Sequence, residues 1–199
     1  MRSGEYKRTA GILRRGGTGV LATDTIYGLV ACALRRRAVE RVYRLRKRDP
    51  RKPCIILIAS RADLKKFGIE LSGKAQSFLK AVWPGRVSVI VPCASRKFSY
   101  LHRGTKSLAF RLPNNAMLRR FLRYTGPLIA PSANPEGKDP ATTIKEARQY
   151  FGNRADFYCD SGKRVSKPST IISLTGKIPE YIRKGAQRIP ASALKDFQN

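Results

Sequence analysis

Apolar residues along the 199-residue chain fall into short blocks of two kinds. Continuous apolar runs of strand length occur at GVLATD (19–24), PCIILIAS (53–60), RVSVIVPC (86–93), SLAFRLP (107–113) and PLIA (127–130). Runs of this kind, bounded by Gly, Pro or Asn, predict buried strands. Residues 156–159, 169–174 and 180–183 predict short late strands. Helical patterns lie between these runs. Residues 5–15 predict a helix that Gly16 and Gly17 stop. Within 36–47, Val39, Val42, Tyr43 and Leu45 fall near one face of a basic helix. Residues 64–67, 75–82, 116–124 and 143–151 also read as helical, with Asn114 or Asn115 capping the third of these. Residues 83–85 read as a turn and 94–106 as a loop. This interleaving predicts an α/β fold: a twisted mixed β-sheet flanked by helices, in a single domain over 1–199.

One stretch breaks the pattern. PLIAPSANPEGKDPATT (127–143) begins as a strand and continues as small polar residues interrupted by Pro131, Pro135 and Pro140. Neither a helix nor a central strand tolerates that proline density. Ser132 and Asn134 place a hydroxyl and an amide on one side if the segment stays extended, with small neighbours that let a ligand approach.

Composition narrows the picture. Apolar content of 42% suits an ordinary core. No apolar run reaches the roughly 18–20 residues of a membrane span. The basic N-terminus lacks the apolar segment of a secretory signal, so a cytoplasmic protein without membrane contact is expected. Cys32, Cys54, Cys93 and Cys159 form no C-x-x-C pair and read as buried free thiols rather than a metal site or disulfides. Charge is extreme: 41 Lys and Arg against 13 Asp and Glu give a formal +28. A field of that sign attracts polyanions such as nucleic acid, nucleotides or anionic surfaces, although any single Lys or Arg is as well explained as solvated surface.

Several chemistries drop out. The chain has one histidine, His102, and no cluster with metal-ligand spacing. It lacks G-x-S-x-G, the P-loop and the Rossmann fingerprint. GGTG at 16–19 is too short to separate a turn from a ligand loop. The remaining candidates are cationic or hydroxylic. RLRKRDPRKP (44–53) sets six basic residues between a helix end and a strand, pinned by Pro50 and Pro53. Such a run is either a solvated face or a phosphate grip. Arg111, between Phe110 and Leu112, is either an edge charge or an anion anchor, and the anchor is favoured. Together these residues suggest a central basic cleft for a phosphorylated compound. It would act by positioning and charge stabilisation, without a covalent nucleophile.

Six ordered segments carry a resemblance: TDTIYGL (23–29), RKRDPRKP (46–53), WPGRVSVIV (83–91), SLAFRLPNN (107–115), PSANPEGKDPATT (131–143) and KPSTIISL…YIRKGA (167–186). In order and spacing the chain resembles the YrdC-like threonylcarbamoyl-adenylate synthases, in their short single-domain form. The resemblance implies a YrdC-like fold. It also implies formation of threonylcarbamoyl-adenylate and pyrophosphate from L-threonine, bicarbonate and ATP, with Mg²⁺ carried on the ATP phosphates and no protein metal site. A downstream threonylcarbamoyl-transferase complex would pass the group to an adenosine of tRNA. By position, Thr25, Tyr27, Ser107, Arg111 and Ser169 would form the threonine site. Arg46, Arg48, Lys52, Ser132, Asn134 and Arg183 would bind ATP, with Arg46, Arg48, Ser132 and Asn134 at the reacting centre. The chain departs from the family pattern in having Arg46 for Lys, Asn115 for His, Glu136 for Ser and Ser173 for Asp. A binding module for tRNA or double-stranded RNA, built on the same fold without catalysis, is the competing expectation. Carbamoyl transfer in hydrogenase maturation uses the fold within a much longer chain.

Overall fold

The computed structural model describes residues 3–198. Nine strands form one sheet: β1 (Thr18–Ala22), β2 (Tyr27–Cys32), β3 (Ile55–Leu57), β4 (Val87–Pro92), β5 (Ser107–Arg111), β6 (Leu128–Ile129), β7 (Phe157–Tyr158), β8 (Thr170–Ser173) and β9 (Glu180–Arg183). Their order is β7-β1-β2-β6-β3-β5-β4-β8-β9. The pairs β1–β7, β3–β5 and β4–β8 are parallel and the others antiparallel. Among the described residues seven α-helices accompany them: α1 (Ser3–Arg14), α2 (Arg36–Arg46), α3 (Gly73–Val82), α4 (Ser99–His102), α5 (Ala116–Thr125), α6 (Ile144–Phe151) and α7 (Ala191–Gln198).

The apolar runs are continuous because both sheet faces are covered. Successive residues of one strand point to opposite sides. Leu21, Val30, Cys32, Leu57 and Leu128 pack with Leu13 of α1 and Leu118, Phe121 and Leu122 of α5. Their neighbours Val20, Leu29, Ala31, Ile56 and Ile129 join the larger core with α2, α3 and α6. All four cysteines are buried and free.

The mixed α/β sheet expected from the sequence is present. Asn115 caps α5, accepting from Leu118 N at 2.9 Å. Some elements were not expected. β2 is buried at every position, but Thr, Asp and Gly interrupt its sequence surroundings and hide the apolar run. The segment 94–106, read as loop, contains a 3-10 turn and α4. Residues 64–67 belong to a longer 3-10 helix, Arg61–Phe67. α7 also escaped, being short and near the chain end. No helix among the described residues is long and apolar enough to cross a membrane.

Candidate active site

The proline-rich segment after β6 stays extended because it pairs with β2. Leu29 N donates to Pro131 O at 3.0 Å and Ala133 N donates to Tyr27 O at 3.0 Å. Arg46, the last residue of α2, reaches across to this segment. Its Nε donates to Asn134 O at 2.8 Å, and its Nη2 to Ser132 Oγ at 3.1 Å and Asn134 Oδ1 at 3.3 Å. Ser132 and Asn134 therefore converge on one guanidinium. The Asn134 amide nitrogen is used within the loop, donating to Pro135 O and Lys138 O. Arg46 is only 3% exposed, yet its Nη1 has no protein partner. Burial, with a smaller contribution from Arg48, lowers its pKa to about 10, so it remains a cation at neutral pH.

Lys47 ends α2 in the left-handed conformation, at φ 49°, and turns the chain into the basic loop. Arg48 follows, its Nε donating to Lys52 O at 3.1 Å and its Nη2 to Pro53 O at 3.0 Å. Glu136 fastens this loop to the proline-rich segment. Its carboxylate accepts from Asp49 N at 2.5 Å and pairs with Lys52 Nζ at 2.6 Å, while its own N–H donates to Arg46 O at 2.7 Å. The Lys52 hydrogen bond and the Asp49 N–H hold the Glu136 carboxyl below its ordinary range.

Arg111 ends β5 and is 4% exposed. Its Nη2 lies 3.0 Å from Asp24 Oδ1, but the pair is poorly aligned. Asp24 Oδ1 and Arg111 Nε both lack a hydrogen-bond partner. Asp24 Oδ2 accepts from Asn114 N at 3.3 Å. Burial pushes the Arg111 guanidinium down from its ordinary range, and Asp24 opposes that shift. The Thr25 hydroxyl lies 3.1 Å from that of Thr23. Tyr27 is fully buried; its hydroxyl donates to Gly162 O at 2.7 Å and accepts from Ser161 N at 2.9 Å. Ser169 Oγ lies 2.9 Å from Ser88 Oγ, and Arg183 donates to Ser169 O through Nε and Nη2 at 3.0 and 2.9 Å. The turn after Arg183 depends on Gly185, where an added Cβ would fall 2.3 Å from Pro168 O.

These segments enclose a cleft of about 240 Å³. Thr25, Tyr27, Arg46, Arg48, Arg111, Ser132, Ser169 and Arg183 line it, together with Thr23, Gly28, Cys54 and Pro168. Asn134 lies behind Arg46, and Lys52 is tied to Glu136, so neither lines the cleft. Ser107 stands at the far end of β5 from Arg111 and bonds to Thr105, away from the cleft. Asp24 and Glu136 were not among the expected site residues. The one signal for Asp24 was an acidic residue inside TDTIYGL in a chain poor in acids.

The wall carries four arginines and no carboxylate. Among the described residues only Arg111 of the four has an ion-pair partner. Buried charges are normally paired. Arg46 hydrogen-bonds to neutral acceptors alone, with the Glu136 carboxylate acting on it only at longer range. No cluster among the described residues could cage a metal ion.

Residues 11–185 match the family model Sua5/YciO/YrdC, described as telomere recombination. The chain belongs to the Sua5/YciO/YrdC family. It is 31% identical over 178 residues to the threonylcarbamoyl-AMP synthase of Pyrococcus abyssi, covering 88% of this chain and 52% of that protein. It is 34% identical over 169 residues to the threonylcarbamoyl-AMP synthase of Methylobacillus flagellatus, covering 83% of this chain and 93% of that one. The chain thus spans about half the length of the Pyrococcus relative and nearly all of the Methylobacillus one. The fold superposes on the crystal structure of P. abyssi Sua5 complexed with L-threonine with a TM-score of 0.86 at 29% identity, over 93% of this chain and 55% of that one.

Proposed function

We propose that the chain is an L-threonylcarbamoyladenylate synthase, a nucleotidyltransferase. The observation that carries this reading is the buried, unpaired Arg46 beside Arg48, in one cleft with the Asp24-paired Arg111. Separate cationic groups in one cleft suit a reaction that joins an amino acid to a nucleotide. L-Threonine and bicarbonate condense to the carbamate with loss of water. A carbamate oxygen then attacks the ATP α-phosphorus, the bond to the bridging oxygen of the β-phosphate breaks, and pyrophosphate leaves. Arg111 would hold the threonine carboxylate, with Thr25 and Ser169 near the amino acid. Arg46 and Arg48 would hold the phosphates and stabilise the charge that develops on pyrophosphate. Ser132 would sit at the reacting centre, and Arg183 would close the phosphate side. Lys52 would join the phosphates on leaving Glu136. The cleft's about 240 Å³ is small for a whole nucleotide, so the adenosine would lie against its outer rim.

Mg²⁺ would arrive on the ATP phosphates, as hard cations commonly do in nucleotide sites, and supply further charge neutralisation there. The excess of +28 supports direct contact with tRNA, whose modification would consume the product through a downstream transferase in the cytoplasm.

Purified protein should release pyrophosphate only when ATP, L-threonine and bicarbonate are all present. Release of inorganic phosphate from ATP, indifferent to threonine, would refute the reading. RNA binding that falls steeply between about 50 and 200 mM salt, with no threonine-dependent pyrophosphate, would favour the binding module instead.

A further inference from the structure

We propose that Tyr43 and Arg103 are positioning residues for Arg48, acting through the Lys52 carbonyl. The inference rests on the reading of Arg48 as a phosphate ligand. Lys52 O accepts two hydrogen bonds: from the Tyr43 hydroxyl at 2.8 Å and from Arg48 Nε at 3.1 Å. Pro53 O accepts the second Arg48 bond, at 3.0 Å. The direction of the Arg48 guanidinium is therefore set by two consecutive backbone carbonyls of its own loop. Nη1 makes no such bond, and Arg48 lines the cleft.

The loop itself is short and exposed at Pro50, Arg51 and Lys52, so it needs an external fixing point. Tyr43 supplies one from α2. It is 5% exposed, and its hydroxyl spans from the helix core to the loop. Burial raises the phenol well above its ordinary range, so it stays protonated and donates. Tyr43 is in turn covered by Arg103, whose guanidinium carbon lies 4.0 Å from the ring centroid. Stacking of this kind restricts the ring. The Arg103 side chain is only 12% exposed, and its Nη2 lies 3.1 Å from Glu40 Oε1, on the same helix as Tyr43. Arg103 itself ends α4 in the left-handed conformation, at φ 52°. The chain of contact runs Glu40, Arg103, Tyr43, Lys52 carbonyl, Arg48. Neither Tyr43 nor Arg103 lines the cleft.

A double-mutant cycle tests this, with inorganic tripolyphosphate as the calorimetric probe so that binding is read apart from turnover. Tyr43→Phe keeps the ring and its stack and removes only the hydroxyl. It should weaken tripolyphosphate about three- to tenfold, the usual scale for one hydrogen bond, with threonine affinity unchanged. In an Arg48→Ala background the same change should alter affinity less than about twofold, because the group it positions is gone. Arg103→Met should act in the same direction, more weakly, and should likewise lose its effect in that background. An equal loss in both backgrounds would overturn the proposal, as would unchanged affinity in Tyr43→Phe or wild-type protein that binds no tripolyphosphate. Wild-type protein that binds tripolyphosphate through Arg48 with this coupling, yet releases no threonine-dependent pyrophosphate, would uphold the relay and sink the activity proposed above.

Discussion

Arg111→Ala is expected to abolish measurable threonine binding and to lower the melting temperature on the order of 10 °C. The second effect follows from the Asp24 pair. Both side chains are almost wholly buried, and removing the arginine strands a carboxylate at a cost of about 3–5 kcal/mol. Stability and recognition are therefore mixed in the single variant. Asp24→Asn combined with Arg111→Met separates them. The pair is then replaced by neutral groups of similar size, and an asparagine oxygen is still available to Asn114 N. The double variant should regain most of the lost melting temperature and still fail to bind threonine. ATP affinity measured without threonine should change far less. A double variant that recovers threonine affinity would show that Arg111 is a structural charge. Calorimetry with each ligand, beside a thermal melt, reads both quantities.

Arg46 should produce the second large effect. Arg46→Met keeps an apolar stem but leaves Asn134 O, Asn134 Oδ1 and Ser132 Oγ without their donor. Hydrogen bonds to a charged group contribute about 1.5–3 kcal/mol each, and the losses share one loop, so about 3 kcal/mol of stability is a reasonable total. ATP-dependent turnover should fall by roughly a hundredfold or more, because the loop and the phosphate charge are lost together. Arg46→Lys restores the charge as a point but not the fork. It should recover part of the turnover and less of the stability. A lysine variant as inactive as the methionine variant, in folded protein, would show that charge at this position does not matter. Pyrophosphate release at varied ATP, with melting curves, decides.

The inner strands were legible in the sequence because they are buried on both faces, which leaves unbroken apolar runs such as CIILIA. β2 was not, since its buried Tyr27 and Gly28 follow a polar turn, of which Thr23 and Thr25 line the cleft. At the site, the arginines could be read from their settings: Arg46 and Arg48 before a proline-framed loop, and Arg111 inside an apolar strand. What each arginine touches could not. The Asp24–Arg111 contact joins residues far apart in the chain, and no periodicity reports it. The same holds for Glu136, which stands where the family pattern has Ser and proves to join two loops of the site. Asn134 and Lys52 carry motif positions, yet their side chains are engaged within the protein. Ser107 shares a strand with Arg111 but stands at its opposite end.

In the proposed reaction one arginine-lined cleft joins threonine carbamate to the α-phosphate of ATP. The most direct test supplies carbon-labelled bicarbonate and ATP labelled at the α-phosphate to the same reaction, with and without L-threonine, and separates the products. The expected product is one threonine-dependent compound that carries both labels in equal amounts, with unlabelled pyrophosphate released alongside it. Label from the α-phosphate found only in ADP, or carbon label absent from every nucleotide product, would contradict it.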